Sequence, residues 1–239
     1  MHYSSEAEYL LISDVDDTLT GDREAIKEYN YIISEKRSEF YLVYSSGRFR
    51  DSLISVIEEE GLIEPDALIS NVGTEIFYAP EWKPDGKWRD RVGSGWDKNR
   101  IEERLKDYPV EKQPHPKEFT ASYYVDEENQ SAVKDIRDEL KDLPVMVIHT
   151  KGKNLDILPQ NAGKGKAALY LREITGLPLI CCGDSENDRE MLEIADFSIL
   201  VGNAVSSLRK ELSDLEHVYI ARNKNAAGVI EGLKSIGVL

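Results

Sequence analysis

Three carboxylates fall within four residues in the segment Ser13-Asp14-Val15-Asp16-Asp17-Thr18-Leu19-Thr20, directly after a short apolar run. Because alternate residues of a β-strand point to the same face, Asp14 and Asp16 are expected to lie side by side. Two ionised carboxylates in that position repel each other unless a divalent cation or a shared proton lies between them. Oxygen ligands of this kind suit Mg²⁺, so the segment predicts a magnesium site that includes both carboxylates.

Three other interpretations start from the same carboxylates. The segment could be a solvated acidic turn that caps the following helix, or the metal-binding Asp-x-Asp pair of a sugar-nucleotide transferase. An EF-hand loop fits the first ligand spacings, but Leu19 replaces its required glycine and Ala25 its closing glutamate. The first two alternatives stay open on this segment alone.

A second polar segment, Val43-Tyr44-Ser45-Ser46-Gly47-Arg48, lies between a predicted strand and a predicted helix. The Ser46 hydroxyl and the Gly47 N–H would then lie at a helix N-terminus, where backbone N–H groups and the helix dipole attract phosphate oxygens. A Ser-Gly pair is also common at such turns for purely local reasons. The segment is therefore a candidate phosphate site that needs support from elsewhere in the chain.

A lysine-containing segment, Gln160-Asn161-Ala162-Gly163-Lys164-Gly165-Lys166, begins a later helix. It is not a P-loop, because Leu158 stands at the first glycine position and Gly165 follows the lysine where Ser or Thr is required. Its lysines could simply be solvated. In a chain of net charge −15, however, a phosphate site must supply its own cations, which makes Lys164 a candidate phosphate ligand.

The fourth segment, Cys182-Gly183-Asp184-Ser185-Glu186-Asn187-Asp188, follows a predicted buried strand. Ligands of open α/β sheets bind at the carboxyl ends of the strands, so Asp184 and Asp188 reach the edge where Asp14 lies if the strands are parallel. Two further carboxylates would complete an oxygen-rich magnesium shell. A helix-capping turn explains this segment alone, but four such turns in this order at one edge are improbable.

These segments are positioned by strands and helices that alternate on both sides of a central insertion. Hydrophobic periodicity predicts β-strands at Tyr9–Val15, Phe40–Ser45, Ala67–Asn71, Leu177–Cys182, Phe197–Val201 and His217–Ala221. It predicts α-helices at Asp22–Lys36, Phe49–Glu60, Gly163–Ile174, Asn187–Ile194, Val205–Leu212 and Ala226–Ser235. This alternation is typical of an α/β fold with a parallel sheet covered by helices on both faces.

The central insertion has a different composition. Residues from about Ala79 to Leu155 contain all three tryptophans and six of the nine prolines. Strands are predicted there at Phe119–Val125 and Val145–Thr150, and helices at Lys98–Lys106 and Glu128–Lys141. We expect a catalytic core of residues 1–79 and 156–239 and an inserted α/β cap of residues 80–155.

Composition limits the partners of the chain. A net charge of −15 repels polyanions, so neither nucleic acid nor an anionic membrane surface is an expected partner. No apolar run approaches the roughly 20 residues of a membrane span, so we expect a cytoplasmic protein, monomeric by default. Cys181 and Cys182 are neighbours that would point to opposite faces of a strand, so we expect both to be reduced.

Together the four polar segments resemble the ordered motifs of the haloacid dehalogenase superfamily of phosphatases. Further segments are similar to bacterial sucrose-phosphate phosphatases, namely Leu11-Ile12-Ser13-Asp14, Glu39-Phe40-Tyr41-Leu42, Asn71-Val72-Gly73-Thr74-Glu75-Ile76, Ser122-Tyr123-Tyr124 and Asp156-Ile157-Leu158-Pro159-Gln160. The resemblance covers essentially the whole chain. It implies a Rossmann-like parallel-sheet core with an inserted α/β cap of the C2 type, which closes over sugar phosphates.

The resemblance implies catalytic roles for the first two carboxylates. Asp14 would attack phosphorus as the nucleophile and form an aspartyl phosphate. Asp16, with its pKa raised by its neighbours, would protonate the leaving sugar oxygen and then deprotonate the hydrolytic water. The family usually carries glycine or asparagine where Asp17 stands, so this third carboxylate departs from the pattern and its role is open.

The remaining motifs would supply a phosphate site and a Mg²⁺ site. The expected phosphate ligands are Ser46, Gly47, Lys164 and Asn187, of which Asn187 would orient either the phosphate or the lysine. The expected metal ligands are Asp14, Asp16, Asp184 and Asp188. In the cap, sugar stacking is expected from some of Trp82, Trp88, Trp96 and Tyr123.

The implied activity is Mg²⁺-dependent hydrolysis of a sugar phosphate, with sucrose 6-phosphate as the implied substrate. Phosphatases of mannosyl-fructose phosphate or mannosyl-3-phosphoglycerate, and a phosphomannomutase, remain open because the four motifs do not separate them. The mutase would need a second phosphate pocket in the cap, for which the available cations are Arg89, Arg91, Lys117, Lys151 and Lys153. The alternative from another class is an inactive sugar-phosphate sensor or a regulatory domain of a sugar-phosphate synthase. Such a protein would be expected to lack one of Asp14, Asp16, Lys164 or Asp184, and none is missing.

Overall fold

The structure is a computed structural model that describes residues 6–114, 117–150 and 153–239. Its β-strands are β1 (Tyr9–Asp14), β2 (Phe40–Ser45), β3 (Ala67–Ser70), β4 (Glu75–Tyr78), β5 (Lys83–Pro84), β6 (Glu111–Lys112), β7 (Ala121–Tyr124), β8 (Val145–Thr150), β9 (Asn154–Pro159), β10 (Leu179–Gly183), β11 (Phe197–Leu200) and β12 (Val218–Ile220). Its α-helices are α1 (Arg23–Glu35), α2 (Arg50–Glu60), α3 (Gly86–Gly93), α4 (Lys98–Leu105), α5 (Ala132–Glu139), α6 (Lys164–Thr175), α7 (Arg189–Ile194), α8 (Ser206–Leu212) and α9 (Asn225–Ser235). Lys151, one of the cations considered for a mutase pocket, lies outside the described residues.

A large sheet carries the strands at whose ends the motifs lie. Its strand order is β12-β11-β10-β1-β2-β3-β4-β5, and every pairing from β12 to β3 is parallel. Strands β1 and β2 are buried on both faces, which explains their continuous apolar sequences. The parallel core sheet predicted from the sequence is confirmed. Two antiparallel strands, β4 and β5, extend the sheet and were not predicted.

Helices cover both faces of the large sheet and form a separate hydrophobic core on each. On one face, Tyr29 of α1 is fully buried together with Val229 of α9. On the other face, Leu171 of α6 and Leu192 of α7 are fully buried in the same core as Trp88 of α3. Among the residues that the structure describes, no helix is both long and apolar enough to cross a bilayer.

The cap is built on a second, antiparallel sheet with the strand order β6-β7-β9-β8. One side of this sheet forms its own core with the cap helices, in which Ile101 of α4 is buried with Tyr123 of β7. Met146 and Ile148 of the edge strand β8 instead pack against the core of the large sheet. The same strand contacts the 3₁₀ turn Glu186–Asp188, so the cap sits over the carboxyl edge of the large sheet.

The observed extent of the cap sheet differs from the expected boundaries at both ends. Strand β9 pairs with the cap sheet up to Pro159, so the expected boundary between residues 155 and 156 falls inside this strand. Strand β5 pairs with β4, and Trp88 of α3 lies in the core of the large sheet, so residues 83–93 lie with the large sheet. A two-residue strand such as β5 carries too little pattern to be assigned to either sheet.

Candidate active site

A polar cavity lies where the carboxyl ends of β1, β2 and β10 meet the cap. Its volume is about 540 Å³. The core side of its lining consists of Asp14, Asp16, Gly47, Arg48, Val72, Asp184, Ser185 and Asn187, and the cap side of Gln113, Lys117, Tyr124, Thr150, Asn154 and Asp156. Three of the four sequence segments thus line one cavity, because β1, β2 and β10 are parallel and end at one edge. The fourth segment supplies Lys164, which is bonded to Asp14.

A cluster of three buried carboxylates, Asp14, Asp184 and Asp188, lies at the base of this cavity, with one oxygen of each within 4.8 Å of the others. Lys164 stabilises the cluster: its Nζ lies 2.6 Å from Asp14 Oδ1 and 2.6 Å from Asp188 Oδ1. The lysine is only 1% exposed. Buried charges are costly unless they are paired and hydrogen-bonded, so the lysine and the carboxylates require one another.

Burial and the neighbouring charges shift the pKa values of Asp14 and Lys164. Burial raises the pKa of Asp14 well above its usual value; Lys164 opposes this shift, and the charges of Asp188 and Asp184 add to it. Burial alone would lower the pKa of Lys164, but the two carboxylates outweigh it and raise that pKa. The lysine therefore stays charged, and Asp14 holds a proton more readily than an exposed aspartate does.

The residues present fit a divalent cation. Asp14 Oδ2 is buried and accepts no hydrogen bond from any residue that the structure describes. An acceptor oxygen buried without a partner is costly, and a cation would satisfy it. Three carboxylates with oxygen donors alone suit Mg²⁺ better than a metal that prefers nitrogen or sulfur.

Asp188 organises the loop that presents Asp184. Its Oδ2 accepts the backbone N–H groups of Asp184 and Ser185, both at 3.1 Å. Gly183 is required for this arrangement, because a Cβ there would lie 2.6 Å from the Asp188 Cβ. Both oxygens of Asp188 therefore have protein partners, and this residue holds Lys164 and the loop together.

Asp16 lies outside the carboxylate cluster, contrary to the sequence expectation. Its carboxylate accepts hydrogen bonds from Arg48 Nε at 2.9 Å and Nη2 at 2.8 Å, and from Ser46 Oγ at 3.1 Å. Strand β1 ends at Asp14, so the alternation that would have placed Asp14 and Asp16 on one face stops before Asp16. Arg48 belongs to one of the four sequence segments, but no role was predicted for it.

The pKa of Asp16 shifts in the direction opposite to the expected one. Burial would raise it, but the hydrogen bonds and charge of Arg48, together with Ser46, lower the pKa below its usual value. The expected rise assumed a neighbouring carboxylate, whereas the nearest charged neighbour is a guanidinium. In this arrangement Asp16 is an ionised ion-pair partner.

The four predicted phosphate ligands occupy two kinds of position. Gly47 and Asn187 line the cavity. Ser46 and Lys164 are almost fully buried at its base, and each is bonded to a carboxylate. Asn187 Oδ1 lies 3.5 Å from Lys164 Nζ and accepts the Ser185 hydroxyl at 2.9 Å, so Asn187 is placed beside the lysine.

The cap contributes a polar group of side chains, here called the cap network, which the sequence analysis did not identify. Ser122 Oγ donates to Asp156 Oδ1 at 2.5 Å and lies 3.2 Å from Lys117 Nζ, which is itself 3.8 Å from Asp156. Ser122 and Asp156 both lie in segments that are similar to bacterial sucrose-phosphate phosphatases. The register that pairs these two residues across β7 and β9 is not readable from spacing.

The aromatic residues expected to stack on sugar do not line the cavity. Trp88 is fully buried, with its ring centre 5.2 Å from that of Tyr170. Tyr123 lies in the cap core, and its neighbour Tyr124 points to the opposite side of β7 and lines the cavity. Of the two neighbours on this strand, Tyr124 therefore faces the cavity and Tyr123 does not.

The cations considered for a second phosphate pocket are dispersed. Arg89 forms an exposed ion pair with Glu118 at 2.6 Å. Lys153 lies over the Tyr124 ring at 5.8 Å, and Lys117 belongs to the cap network. Among the described residues these cations do not converge on one pocket.

Solved structures identify the class of fold. A haloacid dehalogenase-like hydrolase from Bacillus subtilis superimposes with a TM-score of 0.73 at 20% identity, covering 100% of this chain and 94% of that one. The sucrose-phosphatase from Synechocystis sp. PCC6803, solved in complex with sucrose and phosphate, gives a TM-score of 0.91 at 28% identity, covering 96% and 98%. The protein has the fold of the haloacid dehalogenase-like hydrolases.

Sequence comparison narrows this class to a family. The family described as sucrose-6F-phosphate phosphohydrolase matches residues 7–236, and the chain belongs to that family. Sucrose-phosphatase 1 of Nicotiana tabacum is 31% identical over 261 residues, covering 96% of this chain and 59% of that protein. Mannosylfructose-phosphate phosphatase of Agrobacterium fabrum is 27% identical over 240 residues, covering 96% and 97%. The chain thus spans 59% of the tobacco relative's length but nearly all of the bacterial one.

Proposed function

We propose that this chain is a Mg²⁺-dependent phosphatase that hydrolyses sucrose 6-phosphate to sucrose and phosphate through an aspartyl phosphate on Asp14. The observation that carries the proposal is the buried Asp14 carboxylate at the base of a polar cavity. One of its oxygens is bonded to Lys164, and the other has no hydrogen-bond partner among the described residues. Family membership and the likeness to sucrose-phosphatases support the choice of substrate.

Hydrolysis would proceed in two displacements on phosphorus. In the first, an Asp14 oxygen attacks the phosphorus, the P–O bond to the sugar breaks, and Asp16 donates a proton to the leaving sugar oxygen. In the second, Asp16 takes a proton from a water that attacks the phosphorus, and the bond to Asp14 breaks, which releases phosphate. When bound, Mg²⁺ supplies positive charge that reduces the repulsion between the carboxylate and the phosphate dianion.

Lys164 and Ser46 would exchange a carboxylate partner for a phosphate oxygen when substrate binds. The Lys164 ammonium group balances Asp14 and Asp188 before binding, and afterwards it would hold a phosphate oxygen for in-line attack. The Ser46 hydroxyl, bonded to Asp16 before binding, would turn to another phosphate oxygen. These exchanges leave Asp14 and Asp16 with fewer protein partners when they react.

Asp16 must carry a proton before it acts as an acid, and its ion pair with Arg48 opposes protonation. A phosphate dianion offers the guanidinium more negative charge than a single carboxylate does. Substrate binding would therefore weaken the pair between Arg48 and Asp16. Asp16 would then be able to take up the proton that it delivers to the leaving group.

The sugar would be recognised by the cap. The cap network of Lys117, Ser122 and Asp156 offers hydrogen-bond donors and acceptors for sugar hydroxyl groups, and Tyr124 offers a ring face. The cavity volume of about 540 Å³ falls in the range of about 300–1,000 Å³ that is usual for small-molecule sites. A sugar phosphate would thus bind with its phosphate on the core and its sugar on the cap.

A phosphatase of mannosylfructose phosphate is the second candidate. The Agrobacterium fabrum enzyme of that name is matched over 97% of its length, whereas the tobacco sucrose-phosphatase is matched over 59%. The same Asp14 chemistry would serve both substrates, which differ in the sugar presented to the cap.

The test is phosphate release from sucrose 6-phosphate, mannosylfructose phosphate, mannosyl-3-phosphoglycerate and simple hexose phosphates, each with Mg²⁺ and with EDTA. We expect sucrose 6-phosphate to be preferred, and both EDTA and Asp14→Asn to abolish turnover. Asp17→Asn, a neighbouring substitution of the same type, serves as the matched control and should remain active. A preference for another substrate would change only the sugar assigned to the cap. Full activity of Asp14→Asn would overturn the mechanism.

A further inference from the structure

The turn Asn71–Gly73, between β3 and β4, has an unusual backbone. Its three consecutive residues have positive φ values: 48° for Asn71, 58° for Val72 and 88° for Gly73. Positive φ is uncommon outside glycine, and for a β-branched residue such as valine it is a genuine outlier. Strain of this kind persists only where the surrounding structure enforces it, and it concentrates at functional sites.

Backbone hydrogen bonds tie this turn to the loop that carries Ser46. The Ser46 N–H donates to the carbonyl of Ile69 at 2.9 Å, in β3 and two residues before the turn. The Asn71 N–H donates to the carbonyl of Arg48 at 2.8 Å, and the Val72 N–H donates to the carbonyl of Ser46 at 3.1 Å. Both ends of the Ser46–Arg48 loop are therefore fixed by the turn and by the strand that leads into it.

The other side of the turn touches the backbone that carries Lys164. A Cβ on Gly73 would lie 2.2 Å from the carbonyl carbon of Gly163 and 2.5 Å from the backbone nitrogen of Lys164. No real Cβ approaches a backbone atom so closely, so only glycine allows this contact. The two backbones are pressed together at the first residue of α6.

We propose that the turn Asn71–Gly73 is a positioning element that sets the separation between two phosphate-binding groups, Ser46 and Lys164, with Gly73 as the positioning residue for the lysine. The inference rests on the proposed function only in that Ser46 and Lys164 bind phosphate. The turn is hydrogen-bonded to the loop that carries Ser46 and contacts the backbone of Lys164. Its strained shape therefore fixes the distance between these two residues. A more relaxed turn would leave each group present but displaced.

The primary test compares Gly73→Ala with Gly176→Ala. Gly176, at the far end of the same helix, has a φ of 69°, and an added Cβ there meets none of the described residues within 4 Å. Both substitutions place alanine in the left-handed region, but only Gly73→Ala pushes on the Lys164 backbone. The binding of inorganic phosphate and of sucrose is measured separately by calorimetry, in the presence of Mg²⁺.

We expect Gly73→Ala to raise the Kd for inorganic phosphate about 10-fold or more and to lower kcat on the order of 100-fold, the size of effect produced by a misplacement of about 1 Å. The Kd for sucrose should stay within about twofold of wild type, because among the described residues no hydrogen bond or ion pair joins the cap network to the turn. Gly176→Ala should change none of these three constants. Equal weakening of phosphate and sucrose binding would mean general loosening and would overturn the proposal.

A second variant keeps the proposal testable if Gly73→Ala does not fold. Thr74 Oγ1 closes the turn by donating to the carbonyl of Asn71 at 3.0 Å, and Thr74→Val removes this bond at almost constant volume. Thr175→Val is the control, since Thr175 Oγ1 donates to the carbonyl of Leu171 at 2.8 Å at the far end of α6. We expect weaker phosphate binding in Thr74→Val alone, and unchanged phosphate binding in that variant would refute the proposal.

This measurement also separates the inference from the proposed function. If the wild-type protein binds phosphate but releases none from any sugar phosphate, the proposed activity fails while the positioning effect can still be measured by calorimetry. If the wild-type protein binds phosphate and folded Gly73→Ala binds it equally well, the positioning role fails while the activity stands. If the wild-type protein does not bind phosphate, both fail.

Discussion

Replacing Lys164 with methionine removes the only protein cation that is bonded to the carboxylate cluster among the described residues. The lysine is 1% exposed, and its Nζ lies 2.6 Å from both Asp14 and Asp188. Methionine keeps most of the side-chain volume, so the packing around α6 is largely preserved. The perturbation is therefore electrostatic: buried carboxylates are left without a counter-charge.

The expected cost follows from the burial of the pair. Removing one partner of a buried ion pair costs about 3–5 kcal/mol, because the other charge stays desolvated and unpaired. For a chain of this size each kcal/mol lowers Tm by about 2–4 °C, so Lys164→Met should lower Tm by about 6–20 °C in EDTA at pH 8. Lys166→Met is the matched control, since Lys166 forms a partly exposed pair with Glu190 at 2.6 Å. Pairs of that kind contribute about 1 kcal/mol or less.

The deficit of Lys164→Met should depend on pH and on metal. Burial, with the charges of Asp188 and Asp184, already raises the pKa of Asp14, and losing Lys164 removes the group that opposes this rise. An acid whose pKa is raised on folding contributes stability fully below its unfolded pKa, about 3.9 for aspartate, and loses it as pH rises through the folded pKa. The deficit should therefore be smaller at pH 5 than at pH 8, and saturating Mg²⁺ should also reduce it.

The assay is thermal unfolding of wild type, Lys164→Met and Lys166→Met at pH 5 and pH 8, with EDTA and with Mg²⁺. If Lys164→Met melts within about 2 °C of Lys166→Met at pH 8 in EDTA, the cluster does not hold uncompensated charge and the electrostatic argument is refuted. A deficit that is equal at both pH values and insensitive to Mg²⁺ would point to lost packing instead.

Three further predictions concern the remaining charged groups. Arg48→Met should raise the pKa of Asp16 towards its usual value, so the limb of the kcat/KM pH profile governed by Asp16, which reports the enzyme before substrate weakens the pair, should move to higher pH. An unmoved limb would show that Arg48 does not set the pKa of Asp16. Mg²⁺ should raise the Tm of the wild-type protein more at pH 8 than at pH 5, because protons compete with the metal for Asp14. In Asp14→Asn the difference between the two pH values should be smaller. Asp17→Gly should raise the free energy of unfolding, measured by chemical denaturation, by up to about 1 kcal/mol, because the residue has a φ of 62°. The substitution should leave kcat unchanged, and a large loss of activity would instead assign the Asp17 carboxylate to the site.

The fold was predictable where burial made the sequence pattern strong. Strands β1 and β2 are six residues long and apolar up to their carboxyl ends, and the expected bounds agree with the observed ones to within a residue. Strands β4 and β5 have four and two residues and join the sheet antiparallel, after the turn Asn71–Gly73. Nothing in so short a pattern indicates which sheet a strand joins, because pairing is decided by tertiary contacts.

The site was predictable to the extent that topology alone positions residues. Asp14 and Asp184 come together because parallel strands end at one edge, and this follows from chain order. The partner of Asp16 is Arg48, which is 32 residues away and reaches it with a long side chain that no spacing rule locates. The cap network likewise depends on the register between β7 and β9, which only the folded structure reveals.

Asp17 shows how a backbone requirement can resemble a chemical one. The resemblance implied glycine or asparagine at this position, and the role of a carboxylate there was left open. The residue has a positive φ, its side chain is exposed, and its carbonyl accepts the side-chain N–H groups of Asn203 at 2.6 Å and Asn225 at 2.9 Å. Glycine, asparagine and, less readily, aspartate share the ability to adopt this left-handed conformation. The position is therefore explained by the turn that follows Asp14 and Asp16: the turn requires the conformation that lets the two asparagines anchor it, and this anchoring uses the Asp17 carbonyl, not the charge of the third carboxylate.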